Sequence, residues 1–276
     1  MKTFISNEWL LEHLEDEEVR VVDCRFKLGN PNEGSSLFQT SHLPGAIYFD
    51  LEKDLSSVVR EHGGRHPLPK LEQFKCLLEK SGISNSTTVV AYDGGEGAFA
   101  SRLWWLLKYV GHEKVFILDG GFRSWEQSSF PVTNNIVQYN QAEYILDIQK
   151  DMLASYLDVK QAVESKDAIL IDSRETKRYM GVEELIDKKA GHIPGAHNYV
   201  WLEGFQNGHF KEPYEQANRF HNLDKSKEVI VYCGSGVTAT PNVIALKDAG
   251  FTKVKLYAGS FSDWISYEEN EVATKN

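Results

Sequence analysis

Two patterns of apolar residues alternate along the chain. Short β-branched runs such as Thr88-Val-Val-Ala-Tyr92, Val115-Phe-Ile-Leu118, Ala168-Ile-Leu-Ile171 and Val229-Ile-Val-Tyr232 are apolar at successive positions. That is the pattern of strands buried on both faces. Between them apolar positions recur three and four apart, as in Leu71, Phe74, Leu77 and Leu78 or Val243, Ile244 and Leu246, which predicts helices. The run Ala100–Tyr109 reads as a buried helix that ends before Gly111. Strands alternating with helices predict an α/β fold, with a parallel sheet flanked by helices.

The pattern occurs twice. Val21-Val-Asp-Cys-Arg25 is answered by Ile169-Leu-Ile-Asp-Ser-Arg174, and His42-Leu-Pro-Gly-Ala46 by His192-Ile-Pro-Gly-Ala196. Val89-Val-Ala-Tyr-Asp93 is answered by Val229-Ile-Val-Tyr-Cys233, and Gly111, Gly120 and Trp125 by Gly250, Gly259 and Trp264. A separation of about 140–150 positions is that of a duplicated domain and far exceeds a solenoid repeat. Domain one is placed at residues 1–126 and domain two at 150–276, joined by a polar, proline-bearing linker over 127–149. A strand is expected in that linker through Tyr139 and Ile145.

Length and charge narrow the function. A chain of 276 residues suits two domains. Apolar residues form 41% and charged residues 25%, the balance of a soluble globular protein. The formal charge of −10 opposes a phosphate backbone, and no block of Lys and Arg offsets it. Nucleic acid is therefore excluded as the expected partner, and an anionic substrate would need a local basic pocket. No stretch reaches the roughly 20 apolar residues of a spanning helix, and the N-terminal residues lack a signal-peptide pattern. The expectation is a cytoplasmic protein with no membrane partner. Three cysteines, Cys24, Cys76 and Cys233, are too few and too scattered for a disulfide framework or a thiolate metal site. They suit a reducing compartment and leave room for one reactive thiol.

Cys233 is the candidate. It follows the strand Val229–Tyr232 at once, and ligands in parallel α/β domains bind beyond the carboxyl ends of strands. Gly234 and Gly236 let the loop Cys233-Gly-Ser-Gly-Val-Thr-Ala239 curl with its amides inward. A helix over Val237–Leu246 is predicted, with Pro241 in its first turn and Thr238 or Ser235 as its cap. Inward amides and a helix N-terminus favour a negative sulfur, and the thiolate is the attacking form. Against this, a lone cysteine after a strand is commonly a small buried hydrophobe, and glycine-rich turns also cradle phosphates. Neither a Walker sequence nor a dinucleotide fingerprint is present. A cysteine phosphatase is disfavoured as well, since no arginine stands five or six residues beyond Cys233.

Taken together, Val21-Val-Asp-Cys-Arg25, His42-Leu-Pro-Gly-Ala46, Asp119-Gly-Gly-Phe-Arg-Ser-Trp125, Gly191-His-Ile-Pro-Gly-Ala196 and Cys233-Gly-Ser-Gly-Val-Thr-Ala239 resemble the two-domain rhodanese-type sulfurtransferases. The resemblance covers almost the whole chain. It implies tandem rhodanese-like α/β domains, with a silent first copy that has Asp93 where the second has Cys233. It also implies a persulfide on Cys233, no metal or organic cofactor, and a first domain that closes the pocket.

The loop sequence is the one that resembles 3-mercaptopyruvate-type members, whereas members that prefer thiosulfate carry cations directly after the cysteine. 3-Mercaptopyruvate is thus the expected donor, with thiosulfate as the alternative and a non-catalytic binding or regulatory module as the reading from a different class. Thioredoxin, a low-molecular-weight thiol or cyanide is the expected acceptor. By the same resemblance Ser235 joins His42 and an acidic residue, here Glu33, in a proton relay, and Arg178 clamps the donor carboxylate. Lys188 stands where a second cation is expected, and Gly234, Gly236, Val237 and Thr238 form the cradle. Asp23 and Asp172 are expected to fix loops, Trp125 and Trp264 to be core, and Trp201 to wall the pocket. Arg102 either lines the cleft or pairs internally. Cys24 and Cys76 are expected to be buried and inert.

Overall fold

The computed structural model describes residues 2–274. In the first half the elements run β1 (Phe4–Ile5), α1 (Asn7–Glu12), β2 (Val19–Asp23), α2 (Glu33–Thr40) and β3 (Ile47–Tyr48). They continue with α3 (Leu71–Lys80), β4 (Thr88–Tyr92), α4 (Ala98–Tyr109), β5 (Val115–Leu118) and α5 (Gly121–Gln127). The second half runs α6 (Tyr156–Ser165), β6 (Ile169–Asp172), α7 (Thr176–Tyr179), β7 (His197–Asn198), β8 (Phe205–Gln206) and β9 (His209–Phe210). It ends with α8 (Pro213–Arg219), β10 (Val229–Tyr232), α9 (Thr240–Asp248), β11 (Val254–Leu256) and α10 (Ser260–Trp264).

Both halves contain the predicted parallel sheet. The first is ordered β1-β5-β4-β2-β3 and the second β11-β10-β6-β7, so corresponding strands occupy corresponding places. The strand β1 extends only the first sheet; in the second, Leu153 makes a single parallel bridge to Leu256 at that edge. Strands β4, β5 and β10 are buried at nearly every residue, as their unbroken apolar runs require. One core gathers Leu10, Val21, Val90, Tyr92, Leu118 and Trp125. The other gathers Val159, Leu170, Ile230, Tyr232, Phe261 and Trp264.

The duplication extends to the polar ties that hold the loops. Arg25 grips Asp23 at 2.6 Å and donates to Ser41 O at 2.6 Å, its guanidinium 4.1 Å from the centre of the Phe122 ring. Arg174 does the same with Asp172, Gly191 O and Phe261, at 2.6, 2.6 and 3.9 Å. Asp23 and Asp172 thus fix loops, and burial pushes the Asp23 carboxyl up despite its arginine. Trp125 and Trp264 are buried, each donating to a backbone carbonyl, Pro131 O at 2.9 Å and Glu271 O at 2.8 Å. Arg102 is fully buried in α4 and donates to Leu55 O, which places it in an internal pairing.

Two segments depart from the linear division at 126 and 150. The compact units are residues 1–57, 68–149 and 207–210 on one side, and 58–67, 150–206 and 211–276 on the other. The linker contains no strand. It is an extended strap tied to the first unit: Tyr139 donates to Gly45 O at 2.7 Å, Ala142 N to Glu79 O at 2.9 Å and Asn85 to Ile145 O at 2.8 Å. Tyr144 is wholly buried within the strap. Residues 58–67 are tied to the second unit instead, with Gly63 N donating to Asp263 at 2.7 Å, Arg65 N to Ser262 Oγ at 3.1 Å, and His62 stacking on Tyr267.

A pH-sensitive tie sits under the strap. His112 is buried, stacks on Tyr144, and has Nε2 2.9 Å from Thr87 O. Burial lowers its pKa from 6.5 to about 4. The unfolded chain therefore takes the proton first as the pH falls, and the stability from this group is whole above pH 6.5 and lost towards pH 4. The size is on the order of 3 kcal/mol. His112→Phe is expected to flatten the fall in urea midpoint between pH 7 and 4.5 relative to the parent.

Candidate active site

Strand β10 delivers Cys233 to the carboxyl edge of the second sheet, and the loop beyond it curls as the glycines allow. Cys233 N donates to Ser260 Oγ at 3.2 Å, Phe261 N to Cys233 O at 3.0 Å and Ser262 N to Gly234 O at 3.0 Å. Gly236 has φ +77° and points its N–H at Cys233 Sγ, 3.2 Å away. A methyl group on Gly236 would lie 2.2 Å from Ala258 O, so only glycine fits the turn that aims this amide. Cys233 is 1% exposed. The helix after the loop begins later than predicted, at Thr240, with Ala239 at its cap position and no side-chain cap. Pro241 does fall in its first turn. Ser235 and Thr238 therefore do not cap it, and Thr240 Oγ1 donates to Val237 O at 2.7 Å instead.

Ser235 is engaged elsewhere. Its Oγ lies 2.8 Å from Nδ1 of His66, and both residues are buried. This corrects the expectation for His42. That histidine is fully buried in the first unit, with Nδ1 2.6 Å from Phe38 O, Nε2 3.1 Å from Asn135 O, and its ring stacked on Phe38. His192 repeats the arrangement, with Nδ1 2.7 Å from Tyr179 O and its ring on Tyr179. The repeated histidine is thus a structural tie in each copy. Glu33 likewise does not orient His42: at the start of α2 it accepts from Lys27 at 2.9 Å and Asn30 at 2.7 Å. The lysine bond holds its carboxyl below the ordinary value.

Asp93 shows what this loop geometry accepts. In the first copy its carboxylate receives the amides of Gly95, Gly97, Phe99 and Ala100 at 2.9–3.2 Å. One copy of the turn thus closes on its own anion, and the other presents sulfur. Cys24 is buried, and burial together with Asp23 and Asp93 pushes its thiol well up. Cys76, on α3, is half-buried and not fully enclosed as expected.

Cations surround Gly234. A methyl group there would lie 2.7 Å from Arg65 Nη2, 3.5 Å from Arg178 Nη2 and 3.6 Å from Asp187 Oδ2. The loop itself carries no charged side chain, and the cations beside it come from elsewhere in the sequence, Arg65 among them. Burial lowers the Arg65 pKa. Arg178 is bound to Glu184 at 3.0 Å and Asp187 at 2.6 Å, and Arg65 forms an ion pair with Asp187. Lys188 is exposed and lines, with Arg60, Arg65, Asp187, Lys189 and Ser262, a cavity of about 610 Å³ in the second unit. Trp201 opens a short 3₁₀ turn and is half-buried. Among the described residues no cluster of His, Cys, Asp and Glu is suited to a metal ion, and no helix is long and apolar enough to cross a membrane.

The profile of the Rhodanese-like domain matches the chain twice, at residues 6–128 and 155–267. This chain belongs to the rhodanese-like family. A Pseudomonas aeruginosa protein named "Probable 3-mercaptopyruvate sulfurtransferase" is 37% identical to it, over 98% of this chain and 97% of the relative. The thiosulfate sulfurtransferase of Cricetulus griseus is 32% identical, over 96% and 92%. The crystal structure of SseA from Escherichia coli, described as a 3-mercaptopyruvate sulfotransferase of rhodanese fold, superposes with a TM-score of 0.84 at 32% identity. It covers 95% of this chain and is itself covered completely. Full-length similarity to both kinds of relative makes this rhodanese-like chain a sulfurtransferase.

Sequence reasoning missed His66 and Arg65, because Glu61-His-Gly-Gly-Arg-His66 lies outside the motifs matched between the two copies. The signal that was there is a polar, glycine-bearing stretch holding two histidines and an arginine between two regular elements.

Proposed function

We propose that Cys233 takes sulfane sulfur from 3-mercaptopyruvate and passes it, as a persulfide, to a thiol acceptor such as thioredoxin or a low-molecular-weight thiol, or to cyanide in the laboratory. The observation that carries this reading is the Gly236 amide on Cys233 Sγ, with Ser235 of the same loop bonded to His66. The thiolate attacks the donor's thiol sulfur, the C–S bond breaks, and its electron pair leaves on carbon as the enolate of pyruvate. The donor's S–H proton is carried through Ser235 and His66 to that carbon. Amides of the Gly234–Thr238 turn hold the negative outer sulfur, and Arg178 receives the donor carboxylate. The acceptor thiolate then attacks the outer sulfur and releases Cys233 as thiolate. Mass spectrometry of the protein after incubation with 3-mercaptopyruvate should show one added sulfur on Cys233. Absence of that adduct with every small donor would leave the binding-module reading in its place.

Arg65 beside Gly234 favours a second reading, thiosulfate as the main donor, since a guanidinium suits a sulfonate. Steady-state kcat/KM for the two donors decides between them.

The relay makes a separate prediction. His66→Ala is expected to lower kcat with 3-mercaptopyruvate by about 100-fold. His42→Ala should instead lower the unfolding free energy read from urea denaturation by about 1–3 kcal/mol, for carbonyls left unpaired, with kcat little changed. Equal losses of kcat in both variants would remove His66 from the relay.

A further inference from the structure

Three guanidinium groups and three carboxylates interlock beside the loop. Arg174 holds Asp172 and Glu184, Arg178 holds Glu184 and Asp187, and Arg65 holds Asp187. The inner members are sealed: the side chains of Arg174, Asp172, Glu184 and Asp187 are at most 3% exposed. Arg65 is the outermost, at 29%. Asp187 joins the two cations nearest the sulfur loop, one carboxylate oxygen to Arg65 and the other to Arg178. Its carboxylate thus spans the two arginines as a substrate carboxylate would. Arg65 is under-used in return, since its buried Nε has no hydrogen-bond partner. Both residues also line the cavity of about 610 Å³.

We infer that Asp187 is an internal stand-in for the donor's carboxylate, and that Arg65 is the second arm of the anion site. The donor exchanges with Asp187 between Arg65 and Arg178, and the three-against-three charge balance keeps the empty site neutral. Two consequences separate this from a fixed structural bridge. Removing Arg65 takes away one arm and weakens anion binding. Removing the charge of Asp187, with its shape kept, takes away the competitor and strengthens anion binding. A fixed bridge gives the opposite sign for Asp187, because an arginine that loses its anchor is no longer positioned.

The inference rests on Arg178 facing the donor, as read above, and its test does not need turnover. Pyruvate, a 2-oxo carboxylate without the thiol, is titrated calorimetrically into the full-length parent, Arg65→Gln and Asp187→Asn. The expected result is a Kd raised about ten-fold in Arg65→Gln and lowered about three-fold in Asp187→Asn. Parallel kinetics should move the donor KM in the same directions. A Kd unchanged in Arg65→Gln, or raised in Asp187→Asn, overturns the inference. Were pyruvate to respond as expected while mercaptopyruvate left no sulfur on Cys233, the donor assignment would fall and the anion site would stand.

Discussion

Cys233→Ser is expected to lower sulfur transfer at least about 1,000-fold, since a hydroxyl is neither a comparable nucleophile nor able to carry a persulfide. The fold should survive the change. The serine oxygen is smaller than sulfur but can accept the Gly236 amide that now lies 3.2 Å from Sγ, and the strand and its neighbours are untouched. A thermal midpoint within about 2 °C of the parent, measured beside the rate of thiocyanate formation, separates loss of chemistry from loss of structure. The other two cysteines offer no substitute: Cys24 is buried with its thiol pushed well up, and Cys76 lies on a helix of the first unit. Parent-like transfer by the serine variant would refute the persulfide mechanism.

Gly236→Ala should be among the most damaging single methyl groups in the second unit. The residue has φ +77°, which costs an L side chain about 1–2 kcal/mol. Its methyl would also stand 2.2 Å from Ala258 O, a backbone atom that cannot rotate aside. The turn must move, at a total cost of about 3 kcal/mol or more, and the amide then leaves the sulfur. Urea denaturation should show a much lower midpoint, and the enzyme that remains folded should be slow. Gly195 is the control. Its φ is +80° but no atom lies within 4 Å of an added methyl, so Gly195→Ala should cost only the backbone term of about 1–2 kcal/mol and leave the rate unchanged. Equal costs at the two positions would show that the clash at Ala258 is relieved without effect on the loop.

The fold was legible because its determinants are local and occur twice. Unbroken apolar runs located β4, β5 and β10 to within a residue, and the paired Asp23–Arg25 and Asp172–Arg174 motifs marked the same corner in each half. The strap over residues 127–149 was misread as containing a strand because its side chains alternate. Its backbone partners are loop and helix-end atoms such as Gly45 O and Tyr109 O, which no periodicity announces. The site was legible only where it follows the strand directly. The resemblance put His42 in the relay, yet a histidine kept in both copies reports what both need, which is the loop tie. His66 and Arg65 lie outside the matched motifs, and their partners Ser235 and Asp187 lie more than a hundred residues away. Lys188 was weighed for the second cation's place, one residue from Asp187, whose buried carboxylate is what actually meets the arginines there.

The passage of residues 58–67 into the second unit has a consequence for how such a chain can be divided. A cut at the apparent boundary near residue 150 would yield a fragment that keeps the nucleophile but leaves its imidazole and outer guanidinium on the discarded piece. The half without the reactive thiol is therefore not expendable cargo. On the proposed mechanism, a descendant that shed it would first have to recruit a new proton carrier, which ties the two copies together as one heritable polypeptide.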